Sequence, residues 1–502
     1  MIDEDGIMSE FFGRISPEKA GVSSRKVSEY IKHLKRRGVV FHSLMLLKGN
    51  DIFCEAYVKP FDEKFRHRMY SQTKSYVGIA IGLLLEEGKL SLEDKIIDHF
   101  PEKSWDEAGE FLKKQTVKDM LTMETGVHAV NWFKEKVFDR TKHYLTAADR
   151  GYGPGLLFCY DSAGSQVLSS LVEKLSGMSL LDYLKKKLFD KMGTFKTAEI
   201  LKTPNGDSWG DSALVCTPRD MASFGRLLMQ SGRFGGEQLI SEDYVKTATS
   251  KVVDNNETGF EKYDAYGYGY QIWKTEQDGF SFNGMGCQFT ICLPKKDLML
   301  VITGDNQGHD AAKHFIFSGF FDHIADPAVE GELAEDSEGS RELEELCQSL
   351  ELFAFEGMES TDFARSIDKK LFVCRENPMG IKEFSLEFGE GQGVFRYENA
   401  QGKKALSFGI NKNLFCKFPQ LGYSNDVGVL NSTDGFMYDC AVSGAWREER
   451  KFALKVQIID RYFGNMYAVF SFDGKGNAAL KMVKTAEDFL DEYKGIAYAS
   501  EK

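Results

Sequence analysis

The 502-residue sequence lacks several patterns that define common classes of protein. It has no run of about 18 uninterrupted apolar residues, which argues against a transmembrane helix. Its first residues, MIDED, are acidic and include no apolar segment, so no secretory signal is expected. Its nine cysteines form no C-x-x-C pair, which favours free thiols in a reducing cytoplasm. We therefore expect a cytoplasmic protein that needs neither disulfides nor a membrane.

The sequence also lacks an excess of basic residues, because 76 Asp and Glu outnumber 63 Lys and Arg. This balance argues against nucleic acid or an anionic membrane surface as the main partner. No H-E-x-x-H motif occurs, and His309 and His314 lie five residues apart, so no metal site is predicted. Gly267 and Gly269 do not precede a helix, which argues against a phosphate-binding loop. No cofactor is expected.

The length and the composition predict more than one domain. An apolar content of 42% supports substantial cores, but 502 residues exceed what one core usually holds. Pro327, Gly331, Gly339 and a run of glutamates mark a linker. Beyond residue 350, short alternating segments separated by turns indicate an all-β module, either a barrel or a sandwich. We predict a first domain over 1–325, an acidic linker with a short helix over 326–350, and an all-β domain over 351–502.

The stretch Tyr70-Ser71-Gln72-Thr73-Lys74 stands directly before a long apolar segment. The apolar residues that follow are Val77, Ile79, Ala80, Ile81, Leu83, Leu84 and Leu85. This pattern predicts a helix that is buried on nearly all sides and ends near Gly88. Ser71 then lies at the helix N-terminus, where backbone N–H groups have no intrahelical acceptor. Lys74 lies about one turn further along the same face.

This arrangement has the parts of a nucleophile with half of an oxyanion hole, because N–H groups at a helix start can stabilise developing negative charge. A neutral lysine one turn away can take the hydroxyl proton. The pattern S-x-x-K occurs four times, and an isolated match is most simply an N-cap serine followed by a solvated lysine. Only the match at Ser71 opens a long apolar helix, so only Ser71 is a candidate nucleophile.

The remaining N-terminal part alternates between strand and helix patterns. Two strands, His42–Lys48 and Asp51–Val58, are predicted around the turn at Gly49. About three antiparallel strands are predicted over 266–273 and 280–303. Helices are predicted at Ser165–Gly177, Ser179–Met192, Thr217–Gly232 and Ala311–Ile324.

Several segments, in order along the chain, resemble the serine β-lactamase and penicillin-binding-protein-like hydrolases of class C type, which include esterases and D-aminopeptidases. The segments that carry the resemblance are Ile15–Val22, Tyr70–Lys74, Leu90–Asp94, Leu121–Gly126, Phe158–Ser162, Thr217–Ala222, Tyr266–Tyr270 and Phe282–Gly284. Together they span about two thirds of the chain. The resemblance implies an α+β fold, in which an antiparallel sheet carries flanking helices and the C-terminal all-β module follows.

The resemblance also implies roles for particular residues. Ser71 would be the nucleophile and Lys74 its partner base. Tyr160, in the segment where the family's Y-x-N motif falls, would be the second proton-transfer group. The backbone N–H groups of Ser71 and Met285 would form the oxyanion hole. Such a set needs no histidine, and acyl transfer through a serine divides hydrolysis into acylation and deacylation.

The substrate-binding positions implied by the resemblance are Ser162, Phe282, Asn283, Gly284 and Met285. Ser162 replaces the asparagine of Y-x-N, so its hydroxyl can still bond the motif lysine but offers no amide to a substrate. Phe282 replaces the lysine or histidine of the third motif, K-T-G or H-x-G, which removes a cation suited to a substrate carboxylate. Both changes favour an esterase or amidase for less charged substrates, and they predict that Phe282→Lys improves reaction with carboxylate-bearing β-lactams.

We therefore predict a serine hydrolase that cleaves an ester or amide bond, peptide and β-lactam-like bonds included, through a Ser71 acyl-enzyme. Its partner would be a small-molecule ester, amide or peptide, and a homo-oligomer is compatible with the sequence. The alternative is a catalytically weak or inactive ligand-binding protein that kept the fold. The departures from the family motifs at Ser162 and Phe282 favour this alternative. A third reading gives binding to the β module and leaves the N-terminal domain inert.

Overall fold

The computed structural model describes residues 11–103, 105–128, 130, 137–256, 262–423, 436–486 and 490–502. The chain forms two compact units, Met1–Glu351 and Leu352–Lys502. The acidic N-terminal residues 1–5 lie outside the described residues. So does the stretch 427–430, one of the short segments beyond residue 350 whose pattern predicts a strand. None of the described helices combines the length and the apolar character that crossing a membrane requires.

The first unit contains both helices and strands, which are numbered here in chain order. Its helices are α1 (Ser24–Arg36), α2 (Thr73–Glu86), α3 (Val117–Leu121), α4 (Arg140–Tyr144), α5 (Ser162–Ser176), α6 (Leu180–Leu184), α7 (Asp190–Met192), α8 (Pro218–Met229), α9 (Glu242–Ala248), α10 (Ala312–Phe320) and α11 (Ser337–Gln348). Its strands are β1 (Gly13–Arg14), β2 (Phe41–Lys48), β3 (Asp51–Tyr57), β4 (His67–Arg68), β5 (Glu199–Ile200), β6 (Leu214–Cys216), β7 (Arg233–Phe234), β8 (Glu237–Gln238), β9 (Trp273–Lys274), β10 (Phe280–Gly284), β11 (Gln288–Leu293) and β12 (Leu298–Gly304).

The main sheet has the strand order β1-β3-β2-β12-β11-β10-β9. All of its pairings are antiparallel except the short β1–β3 contact. The β2–β3 hairpin turns at Gly49, whose φ of 60° is the left-handed conformation that glycine adopts without steric cost. Helix α8 packs on β11 and β12, and α2 packs against α5. The predicted α+β fold, an antiparallel sheet with flanking helices, is confirmed.

Helix α2 is the buried element that the apolar pattern predicted. Every residue from Thr73 to Leu84 is buried. Two glycines let neighbours approach its backbone, since a Cβ on Gly82 would lie 2.3 Å from a ring carbon of Tyr244. The Tyr244 hydroxyl in turn donates a hydrogen bond of 2.5 Å to the carbonyl of Gly78. The helix is therefore fixed in position before any functional group is considered.

One segment differs from its sequence-based expectation, and the segment 326–350 is predicted to be an acidic linker with a short helix. The strand expected over 266–273 is reduced to β9, because Gly267 and Gln271 have φ values of 113° and 60°, which an extended strand cannot contain. The segment 326–350 contains α11, which packs against α1. Arg25 of α1 forms ion pairs with three acidic residues of this segment, Asp336, Glu338 and Glu342.

The second unit is a barrel rather than a sandwich. Its strands are β13 (Phe372–Cys374), β14 (Glu383–Gly389), β15 (Gln392–Asn399), β16 (Gly402–Ile410), β17 (Leu414–Tyr423), β18 (Phe436–Glu448), β19 (Lys451–Ile459), β20 (Phe463–Phe472), β21 (Asn477–Ala486) and β22 (Gly495–Glu501), with a short helix α12 (Ala364–Ile367). The order β16-β15-β14-β13-β22-β21-β20-β19-β18 closes through a parallel β16–β18 pairing, and β17 also pairs with β18. Aromatic side chains such as Phe395, Trp446 and Phe470 fill the interior.

A pair of buried histidines joins β2 to β4. The Nδ1–H of His67 donates to the Arg68 carbonyl at 3.0 Å, so its Nε2 accepts from Nδ1 of His42, also at 3.0 Å. The ring of His42 stacks on Phe61. Burial lowers the pKa of His67 from its ordinary value to about 3. The His67 ring is therefore neutral in the folded protein near neutral pH.

We expect acid to destabilise the fold through His67. The unfolded chain binds a proton at this position below about pH 6.5, whereas the folded chain binds it only near pH 3, so the free energy of unfolding falls as the pH drops between these values. The slope contributed is roughly 1.4 kcal/mol per pH unit. Urea unfolding measured between about pH 4 and 7 should show this slope in the parent and lose it in His67→Asn.

His309 provides the control, because it is only half-buried, whereas His67 is fully buried. His309→Asn should keep the pH slope of the parent. Equal slopes in the parent and in His67→Asn would show that His67 does not carry the acid sensitivity.

Candidate active site

Ser71 and Lys74 meet at the start of α2. A 3₁₀ turn, Tyr70–Gln72, leads directly into the helix, and the Lys74 Nζ donates a hydrogen bond of 2.8 Å to the Ser71 Oγ. The same amine donates to the backbone carbonyl of Asp211 at 2.7 Å. Lys74 is 1% exposed, whereas Ser71 is half-buried. A reachable hydroxyl thus stands in contact with a buried amine, as nucleophilic catalysis requires.

The backbone before Ser71 is held in an unusual conformation. Tyr70 has a φ of 48°, a left-handed value that costs energy for a residue with a side chain. Its ring is covered by the guanidinium of Arg68, whose Cζ lies 4.4 Å from the ring centroid. The N–H of Met69 donates to the carbonyl of Leu214 at 2.8 Å. These contacts hold the conformation that presents Ser71 at the helix start.

The ring of Tyr160 lies beside the Lys74 amine. The Lys74 Nζ is 5.2 Å from the centroid of the Tyr160 ring, and the ring stacks on Trp273 at 5.6 Å. The residues on either side are anchored to Met123: Cys159 N–H donates to its carbonyl and Asp161 N–H to its sulfur. The structure therefore brings Ser71 and Lys74 of one predicted motif together with Tyr160 of a second.

Asp161 fixes the start of α5 immediately after Tyr160. Its carboxylate accepts from the N–H of Gly164 at 3.0 Å and from the hydroxyls of Tyr144 and Thr125. Burial raises the pKa of this carboxyl, while the hydrogen bonds from Gly164, Tyr144 and Thr125 lower it. An aspartate at this position is a helix cap that sequence pattern alone could have suggested.

The third motif lies on β10, next to the turn before Ser71. A Cβ on Gly284 would lie 2.1 Å from the carbonyl oxygen of Met69, so only glycine permits this approach. The following turn is held by Gln288, whose amide donates to the carbonyls of Met285 and Gly304. Met285 itself is 40% exposed. This edge of β10 is where the sequence predicts the second oxyanion-hole N–H.

The side chains of the third motif point to opposite faces of β10. Phe282 is fully buried, and its ring packs 5.2 Å from Phe224 and 5.7 Å from Phe280 in the core. Asn283 faces the other way, where its amide donates to Asp264 at 3.4 Å. Phe282 therefore contributes packing at this position, and its ring offers no surface to a substrate.

A cation does lie near the third motif, although not at position 282. Lys313 of α10 forms an ion pair with Asp264, and its Nζ is 5.6 Å from the Trp273 ring centroid. For Ser162, no hydrogen bond to Lys74 is present among the described residues, because the Lys74 amine bonds Ser71 and Asp211. No sequence pattern points to Lys313, because α10 is distant in sequence from the third motif and carries no motif of its own.

One buried residue, Gln271, joins the helices around the site. Its carbonyl accepts from the hydroxyl of Ser75 on α2, and its side-chain oxygen accepts from Ser165 on α5. Its amide nitrogen donates to the carbonyls of Met120 and Leu121 on α3. All of these groups are buried. Gln271 thereby fixes α2, which carries Lys74, relative to α5, which begins beside Tyr160.

The described residues contain no group of three or more His, Cys, Asp or Glu side chains arranged to hold a metal ion. What the site does contain is a hydroxyl, a buried amine, a phenol and a helix start. These groups are suited to acyl transfer, in which serine is the nucleophile and the amine takes its proton.

The fold and its relatives define a class, the serine hydrolases. A family model described as Beta-lactamase matches residues 24–317, and the chain belongs to this family. The family's named relatives are hydrolases, and the predicted serine hydrolase is thereby confirmed at the level of class.

Particular relatives are similar over much of the first unit. The 6-aminohexanoate-dimer hydrolase of Paenarthrobacter ureafaciens is 24% identical over 265 residues, which cover 49% of this chain and 67% of that protein. A Bacillus anthracis structure described as a candidate 6-aminohexanoate-dimer hydrolase superposes with a TM-score of 0.53 at 19% identity, covering 64% of this chain and 88% of that one. The structure of EstCE1, described as a hydrolase with promiscuous acyltransferase activity, superposes with a TM-score of 0.51 at 12% identity. The superposition covers 59% of this chain and 99% of that one.

The buried position of Phe282 changes the expected outcome of Phe282→Lys. A lysine there would place an unpaired ammonium in the core, so we expect a loss of at least about 3 kcal/mol in the free energy of unfolding rather than faster reaction with β-lactams. Urea unfolding and nitrocefin hydrolysis measure the two outcomes. Met285→Lys is the control for stability, because a lysine at this exposed position stays hydrated. A stable Phe282→Lys variant with improved nitrocefin hydrolysis would contradict this interpretation.

Proposed function

We propose that this protein hydrolyses a small linear amide or ester through an acyl-enzyme on Ser71. The observation that carries the proposal is the 2.8 Å contact between the Lys74 amine and the Ser71 hydroxyl at the start of a buried helix. In the first step the Ser71 Oγ attacks the substrate carbonyl carbon, and its proton passes to Lys74. The oxyanion that forms would be stabilised by the N–H groups of Ser71 and Met285.

Tyr160 would complete the proton transfer. Its ring lies beside the Lys74 amine, so its hydroxyl can pass a proton to the leaving nitrogen or oxygen as the substrate bond breaks. A water molecule then attacks the acyl carbon, one proton returns to Ser71, and the acid product leaves. The bond broken in acylation is the substrate C–N or C–O bond, and the bond broken in deacylation is the ester bond to Ser71.

Two observations support a substrate of low charge. Leu156 and Leu157, just before Tyr160, are 70% and 50% exposed, and Met285 is also exposed, so the segments that carry the proposed groups present apolar surface. The cation near the third motif, Lys313, is already paired with Asp264. The relative in Paenarthrobacter is named a 6-aminohexanoate-dimer hydrolase, and two 6-aminohexanoate units are joined by an amide bond. We therefore propose linear amides and esters, rather than β-lactams, as the preferred class.

The inactive ligand-binding alternative is less well supported. The two residues that spoke for it were Ser162 and Phe282, and Phe282 is a core residue whose side chain has no direct part in the chemistry. A protein that only binds ligands has no need of a lysine amine held against a serine hydroxyl, because burying that amine costs free energy.

Ser71→Ala tests the nucleophile directly. We expect a fluorophosphonate probe to label the parent at Ser71 and not to label the variant, because the reacting oxygen is gone. Hydrolysis of a p-nitrophenyl ester should fall by about 10³-fold or more. Peptide mass spectrometry locates the label.

The other S-x-x-K matches provide a matched control. Ser366 also precedes a lysine by three residues, but its hydroxyl bonds the carbonyl of Phe363 at an exposed position. Ser366→Ala should keep labelling and turnover at the parent level. Labelling at another residue, or unchanged turnover in Ser71→Ala, would refute the proposed nucleophile.

Tyr160→Phe tests the proton-transfer group. The ring and its stacking on Trp273 are kept, so we expect kcat to fall by about 10²-fold or more while KM changes little. Tyr152→Phe is the control, because Tyr152 also carries a hydroxyl in the preceding loop but contacts Arg150. Steady-state kinetics on an amide substrate measure both. Equal kcat values for the parent and Tyr160→Phe would remove Tyr160 from the mechanism.

A further inference from the structure

Behind Lys74 lies a group of buried charges that none of the predicted motifs contains. The segment 208–213 passes beneath α2, and Asp211 is only 3% exposed. One of its carboxylate oxygens, Oδ1, is fully buried and has no hydrogen-bond partner among the described residues. Leaving a carboxylate oxygen buried without a donor is costly, so such a group requires an explanation.

Two guanidinium groups accompany this carboxyl. The Cζ atoms of Arg68 and Arg140 lie 4.6 Å and 4.5 Å from the ring centroid of Trp209, and all three residues are buried. Arg68 also donates to the carbonyl and the hydroxyl of Ser212, the residue after Asp211. The cluster is therefore a carboxyl accompanied by two buried guanidinium groups and by the buried amine of Lys74.

The segment that carries Asp211 has little freedom to move. The side chain of Gln166 on α5 bonds both the Ser208 carbonyl and the Gly210 N–H. A Cβ on Gly210 would lie 2.1 Å from the hydroxyl oxygen of Ser169, which shows how closely the segment packs on α5. The carbonyl of Asp211 therefore offers Lys74 a fixed acceptor, and the carboxyl remains near the amine.

The electrostatic influences on the Asp211 carboxyl connect it to Lys74. Burial raises its pKa from the ordinary value, while the positive charges of Lys74, Arg140 and Arg68, in that order of strength, lower it. The groups that face the Lys74 amine are the Ser71 hydroxyl, the Asp211 carbonyl and the Tyr160 ring. Asp161, at the start of α5, is already engaged by Gly164 and Tyr144.

We propose that Asp211 is a positioning residue that acts through Lys74, as the counter-ion of the ammonium that forms when Ser71 loses its proton. The proton moves from Ser71 Oγ to Lys74 Nζ, and Asp211 stays ionised throughout. The guanidinium groups of Arg68 and Arg140 act in the opposite direction, because like charges disfavour an additional cation. The balance between one carboxylate and two guanidinium groups then sets how readily Lys74 accepts the proton. This inference depends on the proposed role of Lys74 as the base.

The test compares two variants whose effects have opposite signs. Asp211→Asn keeps the shape of the side chain but removes the counter-ion, so the acid limb of the kcat/KM profile should move to lower pH by about one unit. Its plateau should fall about tenfold, because the ammonium is less stabilised in the transition state. Arg140→Gln removes an opposing cation, so its acid limb should move to higher pH. Asp220→Asn, an equally conservative change at a buried carboxylate of the α8 capping box, should keep the parent profile.

Opposite shifts of the acid limb in Asp211→Asn and Arg140→Gln would support the inference. A purely structural defect gives no reason for the limb to move in opposite directions in the two variants. Superimposable profiles, or shifts of the same sign, would overturn it. If Asp211→Asn fails to fold, the direction of the Arg140→Gln shift alone decides. Fluorophosphonate labelling separates the two proposals: a parent that is not labelled at Ser71 refutes the acyl-enzyme, whereas a labelled parent with an unshifted profile refutes only the role of Asp211.

Discussion

The arrangement of the first unit depends on a single buried amine. Lys74 has its Nζ in contact with the Ser71 hydroxyl and the Asp211 carbonyl, and almost none of its surface reaches water. An amine in that position is tolerated only if its partners are held at hydrogen-bond distance, because burying it without them would be costly. The packed glycines of α2, the Gln271 contacts and the segment 208–213 all serve to hold those partners.

The start of α2 and the end of β10 come close together, and a different backbone feature permits the approach on each side. Ser71 is presented by a strained Tyr70, whose left-handed backbone is held by the Arg68 guanidinium against its ring. Gly284 lets β10 approach the carbonyl of Met69, a distance that any side chain would prevent. Strain of this kind persists where the surrounding structure determines the conformation, which is common at sites that act on a substrate. The unfavourable backbone conformation of Tyr70 thus accompanies the placement of the Ser71 hydroxyl near the end of β10.

Local sequence patterns predicted much of this structure, but they could not predict the contacts between residues that are distant in sequence. The apolar run after Lys74 indicated a buried helix, and α2 is buried along nearly its full length. Strand alternation could not show which face of β10 Phe282 occupies, because a shift of one residue reverses every side chain. Asp211 carries no motif and becomes visible only when 137 residues of separation are closed by folding. The choice of a barrel over a sandwich depended on the β16–β18 pairing, a contact between segments that are distant along the chain.

The placement of charge separates the reacting groups from the groups that recognise a substrate. Among the described residues, the guanidinium groups of Arg68 and Arg140 beside Lys74 are buried and stack on Trp209, so neither is presented to an incoming carboxylate. The cation near the third motif, Lys313, is neutralised by Asp264, while position 282 is filled by a core phenylalanine. A carboxylate-bearing substrate would therefore have to compete with Asp264 for its only nearby cation in the described part of the site. An uncharged acyl group meets no such competition. If it bound against the exposed Leu156 and Leu157, it would remove their apolar surface from water, which is favourable. This placement of charge is what the proposed preference for uncharged amides and esters over charged β-lactams requires.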